Sequence, residues 1–194
     1  PERVEEYSRE FARLCKRLHN TECPKGMFPE AKDQFRTLLK ADKVFSESEK
    51  KVVYDFIENA PDCTTALHGD MHFGNALTTL PLGAPKNTPH DVFFIDLGYF
   101  ARGCPLFDMG MMMGILSFGE AFPDFFEENY HCTVAQGREF WHSFLREYFN
   151  PDIDIAAKEK ELIPYLALRQ VCVEPMMGKP LPEEDCGATF AMFR

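Results

Sequence analysis

Two short polar segments, each placed directly after an apolar stretch, constrain this chain more than any other feature of its sequence. Residues 67–77 read LHGDMHFGNAL and residues 94–98 read FIDLG. Where a strand hands over to a loop, the backbone is rigid and the side chains are free, so Asp70 and Asp96 can be held at a fixed separation. Burying both carboxylates without a cation would be expensive. The two segments therefore indicate a site for a hard divalent cation such as Mg²⁺.

Amphipathic helices are predicted on both sides of these segments. The first places apolar side chains at steps of three and four between residues 4 and 18. A later helix begins at Ser46, which can exchange capping hydrogen bonds with Glu49, and it ends at Pro61. The other predicted helices cover residues 31–39, 106–118, 122–130, 135–149 and 155–173, the last with a kink at Pro164. Short strands are predicted at 64–67, 76–80 and 92–95, and together they indicate small hairpins.

These elements predict a single α+β domain that is mainly α-helical. Residues 1–62 are helical, residues 63–108 carry the hairpins with their polar loops, and residues 109–173 are helical again. The proline-containing stretch 174–194 is predicted to be an irregular tail.

The charge balance of the chain bears on its partners. Lys and Arg number 21 against 31 Asp and Glu, which gives a formal net charge of -10. This balance argues against nucleic acid or an anionic membrane surface as a partner, and cationic or metal-bridged ligands fit better. An acidic balance of this size is also an ordinary route to solubility, so it serves only to decide between otherwise equal alternatives.

The cysteines bear on the compartment. There are seven, an odd number, and no two have the C-x-x-C spacing of a zinc site. Scattered single thiols suit a reducing compartment, so we expect a cytoplasmic protein. The longest mostly apolar run, residues 109–118, is too short to cross a bilayer, and no membrane partner is expected.

Three linked motifs carry a resemblance to a known family. H-G-D-x-x-x-x-N begins at His68, an apolar strand ends in I-D-L-G at Asp96, and G-x-P-x-x-D follows from Gly103 to Asp108. In their order and spacing they resemble the catalytic core of the aminoglycoside phosphotransferase and choline kinase family, and more distantly the protein kinase catalytic loop. The resemblance implies the C-terminal lobe of a protein kinase-like fold, covering residues 1 to about 173.

The same resemblance implies roles for the motif residues. Asp70 would orient the substrate hydroxyl and accept its proton, while Asn75 and Asp96 would hold the Mg²⁺ that bridges the phosphates of ATP or GTP. The supporting residues would be His68, which holds the loop, and Asp108, a buried carboxylate bonded to loop amides. The nucleotide would lie near Leu77 and Ile95, at the junction with a second lobe.

An N-terminal nucleotide-binding lobe is not recognisable in these residues. The sequence contains no G-x-G-x-x-G loop, no G-K-[ST] and no strand resembling V-A-I-K. The chain is therefore expected to be a catalytic lobe that needs a nucleotide lobe as its partner. An apolar patch is expected beside Leu77 and Ile95, where that lobe would pack.

The predicted function is transfer of the γ-phosphoryl group of ATP or GTP to a hydroxyl of a small molecule. Aminoglycosides, choline-like amino alcohols and sugars all remain possible acceptors. One alternative is a lobe that has lost catalysis and serves interaction. Another is a metallophosphoesterase, because Gly69, Asp70 and His72 match the first metal motif of the calcineurin-like enzymes, although the later motifs of that family are missing. An isolated Asp beside a Gly can also be a simple turn residue, and only the joint pattern argues for a site.

Overall fold

The computed structural model describes residues 3–43, 45–81, 83–85, 88–173 and 189–193. Helices make up most of this structure, and two small antiparallel sheets are formed by the middle of the chain. The predicted class, α+β with a majority of helix, is therefore confirmed. Among the described helices, none combines the length and the apolar character needed to cross a lipid bilayer.

Three helices precede the sheets, and they follow the predicted pattern closely. They are α1 (Val4–His19), α2 (Ala31–Ala41) and α3 (Glu47–Asn59). The predicted capping pair is present at the start of α3. Ser46 Oγ accepts a hydrogen bond from the Glu49 amide at 3.3 Å, and Glu49 Oε2 accepts one from the Ser46 amide at 2.8 Å. These reciprocal bonds satisfy two of the amides that every helix start leaves unpaired.

The strands correct the predicted hairpins in one respect. They are β1 (Thr65–Leu67), β2 (Ala76–Thr78), β3 (Val92–Phe94) and β4 (Ala101–Gly103). β2 and β3 form the expected hairpin, but β1 pairs with β4, a strand that the sequence did not predict. In the sequence, β1 precedes the β2–β3 hairpin and β4 follows it. The polar loop 68–75 therefore connects β1 to β2, and the segment that contains Asp96 connects β3 to β4.

Four helices follow the sheets. They are α4 (Leu106–Ala121), α5 (Pro123–Tyr130), α6 (Val134–Tyr148) and α7 (Ile155–Val173). The helix α7 continues through Pro164. All four were predicted, with ends that differ by a few residues at most.

The core forms where helices distant in sequence pack together. α1 packs on α6, and α4 packs on α7. Gly110 permits the second contact, because a Cβ at this position would lie 2.6 Å from the backbone carbon of Tyr165. Trp141 and Phe144 stack with ring centroids 5.5 Å apart and are fully buried. The close packing of α4 on α7 brings Asp108 of α4 and Arg169 of α7 to the same loop, the one that follows β1.

Of the predicted irregular tail, residues 174–194, the structure describes residues 189–193. Residues 174–188 lie outside the described part of the chain. Residues 189–191 form a helical turn, and Phe190 is buried with its ring 5.1 Å from that of Phe45. Phe193 packs against Phe56 at 5.3 Å. Aromatic burial rather than hydrophobic periodicity holds this segment, so a pattern search over a few residues could not find it.

Candidate active site

Asp108 anchors the polar loop that follows β1. Its carboxylate lies in the first turn of α4 and is almost fully buried. Oδ2 accepts a hydrogen bond from the His68 amide and Oδ1 accepts one from the Gly69 amide, both at 2.8 Å. Hydrogen bonds from several amides offset the hydration free energy that a carboxylate loses on burial. The structure therefore places Asp108 against the loop amides, where the family resemblance expected it.

A buried histidine that the sequence analysis missed completes this anchor. His19 Nε2 lies 3.0 Å from Asp108 Oδ2, and its Nδ1 lies 2.8 Å from the Tyr148 hydroxyl. Burial raises the pKa of Tyr148 far above its usual range, so the hydroxyl keeps its proton. His19 is the last residue of α1 and carries no motif. The packing of α1 on α6 and on β1, the strand before the loop, brings it to Asp108.

Gly69 requires the conformational freedom of glycine. Its φ is 80°, in the left-handed region, and a Cβ there would collide with the carbonyl oxygen of Tyr99. The glycine in the H-G-D motif thus allows the loop to turn against the segment that follows Asp96.

His68 links the two polar segments. Its Nε2 lies 2.9 Å from the carbonyl oxygen of Ile95, and its Nδ1 accepts a hydrogen bond from the Asp70 amide at 3.3 Å. Because Nδ1 accepts, the proton is assigned to Nε2, which donates to Ile95. The ring is fully buried and packs edge-on against Phe94 at 4.8 Å. His68 therefore holds the carbonyl of the residue immediately before Asp96.

Asn75 and Asp70 meet at the centre of the loop. The side-chain nitrogen of Asn75, Nδ2, donates to the backbone carbonyl oxygen of Asp70 at 2.9 Å and to Asp70 Oδ2 at 3.2 Å. The backbone carbonyl oxygen of Asn75 accepts a hydrogen bond from the backbone amide of Ile95 at 2.9 Å. Since the side-chain nitrogen is committed to Asp70, the side-chain oxygen is the atom of Asn75 that can coordinate a cation.

Asp96 directly follows Ile95, whose backbone is hydrogen-bonded to both His68 and Asn75. It adopts a left-handed conformation, with φ 55° and ψ 62°, and it is exposed. Asp tolerates the left-handed conformation better than most residues. Left-handed residues other than glycine are often found at functional sites, which fits the place of Asp96 next to the loop 68–75. Its side chain makes no capping hydrogen bond to the short 3-10 turn that follows, residues 97–99. The carboxylate is thus open to a ligand.

The donor set fits magnesium in chemical type. Asn75 offers an amide oxygen and Asp96 a carboxylate, both hard oxygen ligands, and Mg²⁺ keeps several waters when it binds to one or two such groups. Within the described residues, no three side chains of His, Cys, Asp or Glu gather in a group that could hold a metal ion by themselves. A small ligand set shared with phosphate oxygens is the kind of site to which these residues are suited.

Arg169 is a second residue that the sequence analysis missed. It lies on α7, and its Nη1 donates to the Gly69 carbonyl oxygen at 2.9 Å while Nη2 lies 3.3 Å from Asp70 Oδ1. Burial lowers the pKa of Arg169, and the nearby carboxylates of Asp70 and Asp108 act in the opposite direction. Asp70 therefore has a partner at each carboxylate oxygen, Arg169 at one and Asn75 at the other.

His72 borders the site without a direct hydrogen bond to Asp70. Its Nε2 lies 3.9 Å from Asp70 Oδ2, and its Nδ1 accepts from the Gly74 amide at 3.1 Å. Burial lowers the pKa of His72, with the Asp70 charge opposing that effect. The ring faces Tyr130 at 5.9 Å. Through its hydrogen bond to the Gly74 amide, His72 caps the short 3-10 turn at residues 73–75 and so stabilises the loop.

The two residues expected near the nucleotide lie on the β2–β3 hairpin and just beyond it. Leu77 is 48% exposed and pairs across the hairpin with Phe93, which is 43% exposed. Ile95 is half-buried. Cross-strand partners lie on the same face of a sheet, so Leu77 and Phe93 together present apolar surface to solvent on this hairpin.

Comparison with known proteins adds no family to this description. No model of a protein family matches the chain, and no curated protein matches it.

Proposed function

We propose that this chain is the catalytic lobe of an ATP- or GTP-dependent phosphotransferase that acts on a hydroxyl of a small molecule. The observation that carries the proposal is the joining of the two polar segments. Asp70 and Asn75 share a hydrogen bond, and His68 and Asn75 both hold Ile95, the residue before Asp96. In this proposal the base Asp70 and the two cation ligands Asn75 and Asp96 would stand on one hydrogen-bonded framework.

The chemistry of phosphoryl transfer suits such a framework. Transfer passes through a loose transition state that needs positioning and charge stabilisation more than covalent help. In this proposal Asp70 orients the acceptor hydroxyl and takes its proton, so an ordinary carboxylate suffices if it is held in place. Asn75 and Asp96 would hold Mg²⁺, which when bound neutralises charge on the nucleotide phosphates.

The exposed face of the β2–β3 hairpin supports a second lobe in this proposal. Leu77 and Phe93 present apolar side chains to solvent beside Ile95. We propose that this face meets the nucleotide and a nucleotide-binding lobe, because exposed apolar patches mark binding surfaces. The same exposure favours the second candidate, a lobe used only for interaction. A cytoplasmic location is proposed from the six described cysteines, which are all free.

The test is nucleotide consumption by the full-length natural protein with a panel of acceptors. The panel contains aminoglycosides, choline-like amino alcohols and sugars, each assayed with ATP and with GTP. We expect transfer that depends on Mg²⁺, on one class of acceptor and on Asp70. Hydrolysis of phosphoesters without a nucleotide would favour the metallophosphoesterase alternative. Absence of both reactions, together with binding to another protein, would favour the interaction lobe.

A further inference from the structure

We infer that Arg169 is a positioning residue for Asp70, a role that no motif of the sequence assigns to it. The inference rests on the proposed function, because it names a further requirement of the same site. Arg169 acts through Asp70 and Gly69, and it does not itself touch the reacting atoms in this account.

The first support is the geometry of the two contacts. One guanidinium nitrogen binds the Gly69 carbonyl oxygen at 2.9 Å, and the other lies 3.3 Å from Asp70 Oδ1. A guanidinium is planar and rigid, so two contacts from one group fix the carboxylate relative to the backbone on which it is mounted. Lysine, a single point charge on a flexible stem, cannot hold both atoms in the same way.

The second support is that the two carboxylate oxygens of Asp70 have different partners. Arg169 engages Oδ1, whereas Oδ2 lies near the Asn75 amide nitrogen at 3.2 Å. A carboxylate oxygen has two lone-pair sites, so Oδ2 can still accept a hydroxyl proton beside Asn75. The Arg169 contact therefore selects which oxygen of Asp70 meets the acceptor, and it places that oxygen beside a proposed Mg²⁺ ligand.

The third support is that the hydrogen bonds described for Arg169 go to the loop 68–75. Its side chain is largely buried, and Nη1 and Nη2 contact Gly69 and Asp70. A buried guanidinium needs hydrogen-bond partners to offset its loss of hydration. The loop supplies these partners, so the position of Arg169 and that of Asp70 depend on the same contacts.

Arg102 provides a matched control within the same fold. It lies on β4, and its Nη1 is 2.9 Å from both carboxylate oxygens of Glu30 while its Nε donates to the Cys23 carbonyl oxygen at 2.9 Å. Its side chain is 16% exposed, against 13% for Arg169. Each arginine thus joins one carboxylate to one backbone carbonyl in a similar degree of burial. Among the described residues, the hydrogen bonds and the ion pair of the Arg102 side chain go to Cys23 and Glu30, and none reaches the loop 68–75.

The test is a double-mutant cycle on turnover in the full-length natural protein. The variants are Arg169→Met, Asp70→Asn and the double variant, with Arg102→Met as the control, and each is also followed by thermal unfolding. We expect Arg169→Met to lower kcat about 10- to 100-fold with a nucleotide KM within about 3-fold of wild type. In the Asp70→Asn background the same substitution should change kcat by less than about 2-fold. Arg102→Met should lower the Tm while leaving kcat within about 2-fold.

Three results would overturn the inference. They are an unchanged kcat in Arg169→Met, an equal loss in both backgrounds as a purely structural role predicts, and a loss confined to KM. If Arg169→Met does not fold, Arg169→Lys replaces it in the same cycle under the same criteria. A wild-type protein without phosphoryl transfer to any acceptor contradicts the proposed function and this inference together. An active wild type with an additive cycle contradicts this inference alone.

Discussion

The two polar segments of the site both carry an aspartate just after a strand, yet they are held very differently. The loop 68–75 is bonded at its amides by Asp108 and at a carbonyl by Arg169. Asp96, by contrast, is exposed, left-handed and without a capping bond from its side chain. The backbone before it is fixed, but its carboxylate is open.

This difference corresponds to two different tasks in the proposed reaction. A base must be oriented by the protein before the substrate arrives, because small misplacements are costly in rate. A metal ligand obtains its final geometry from the metal, so its carboxylate can remain open until the ion binds. The comparison therefore predicts that loss of Asp108, the anchor of the loop, mainly lowers the stability of the fold, whereas loss of Asp96 mainly changes the requirement for metal.

The largest effect on stability is expected at the anchor. Asp108→Ala removes the acceptor of two loop amides and of His19, all in a buried site. Unpaired buried groups of this kind typically reduce the free energy of unfolding by about 3–5 kcal/mol. Chemical denaturation measures this change. A loss below about 1 kcal/mol would show that the loop does not depend on Asp108 and would break the comparison.

A smaller and different effect is expected at the open segment. Asp96→Asn should alter the free energy of unfolding by less than about 0.5 kcal/mol, because the exposed side chain supports little structure. The Mg²⁺ concentration for half-maximal activity should rise by at least about 10-fold, since an anionic ligand is lost. Asp91→Asn removes an exposed carboxylate beside the same strand, β3, and should leave the Mg²⁺ requirement unchanged. If both variants responded equally, Asp96 would not be a ligand of the proposed metal site.

The smallest effect concerns pH and compares a histidine of the anchored loop with one of the hairpin loop. Burial lowers the pKa of His72, whereas a hydrogen bond to the Thr88 carbonyl, followed by one to Glu10, raises the pKa of His90. His72 therefore contributes stability above the pH at which an unfolded histidine titrates, about 6.5, and this contribution is lost as pH falls. His90 contributes stability below that pH, and it is lost as pH rises.

Unfolding free energies between about pH 5.5 and 7.5 would reveal these opposite signs. His72→Asn should make stability fall less steeply on acidification, and His90→Asn should make it fall more steeply. In addition, His72→Asn should leave turnover close to wild type in a phosphotransferase. Loss of turnover together with weaker metal binding in that variant would support the metallophosphoesterase alternative, in which His72 is a metal ligand.

The sequence predicted the elements that local patterns determine. The α1 periodicity and the reciprocal cap of Ser46 and Glu49 were read correctly because each depends on residues within one or two helical turns. The strand Ala101–Gly103 was missed because three residues carry no alternation. Its pairing with β1 is set by contacts between residues far apart in the sequence.

In the candidate site, too, the residues that stand in local motifs were predicted, and those brought in by long-range packing were not. His68, Asp70, Asn75 and Asp108 stand in motifs with fixed spacing, and the structure brings these four into one hydrogen-bonded network. Arg169 lies 99 positions after Asp70, on a helix whose pattern does not distinguish it from a surface cation. A long-range partner of this kind is determined by the packing of α7 on α4, which a single sequence does not display.

The most direct test of the central claim is turnover and nucleotide affinity of Asp70→Asn in the full-length natural protein. The substitution removes the base with almost no change in side-chain size, and it leaves Asn75 and Asp96, the proposed Mg²⁺ ligands, unaltered. We predict a loss of kcat of about 10²- to 10⁴-fold, typical of a removed general base, with nucleotide affinity nearly unchanged. A wild-type rate in this variant, with any acceptor, would contradict the assignment of Asp70 and the mechanism built on it.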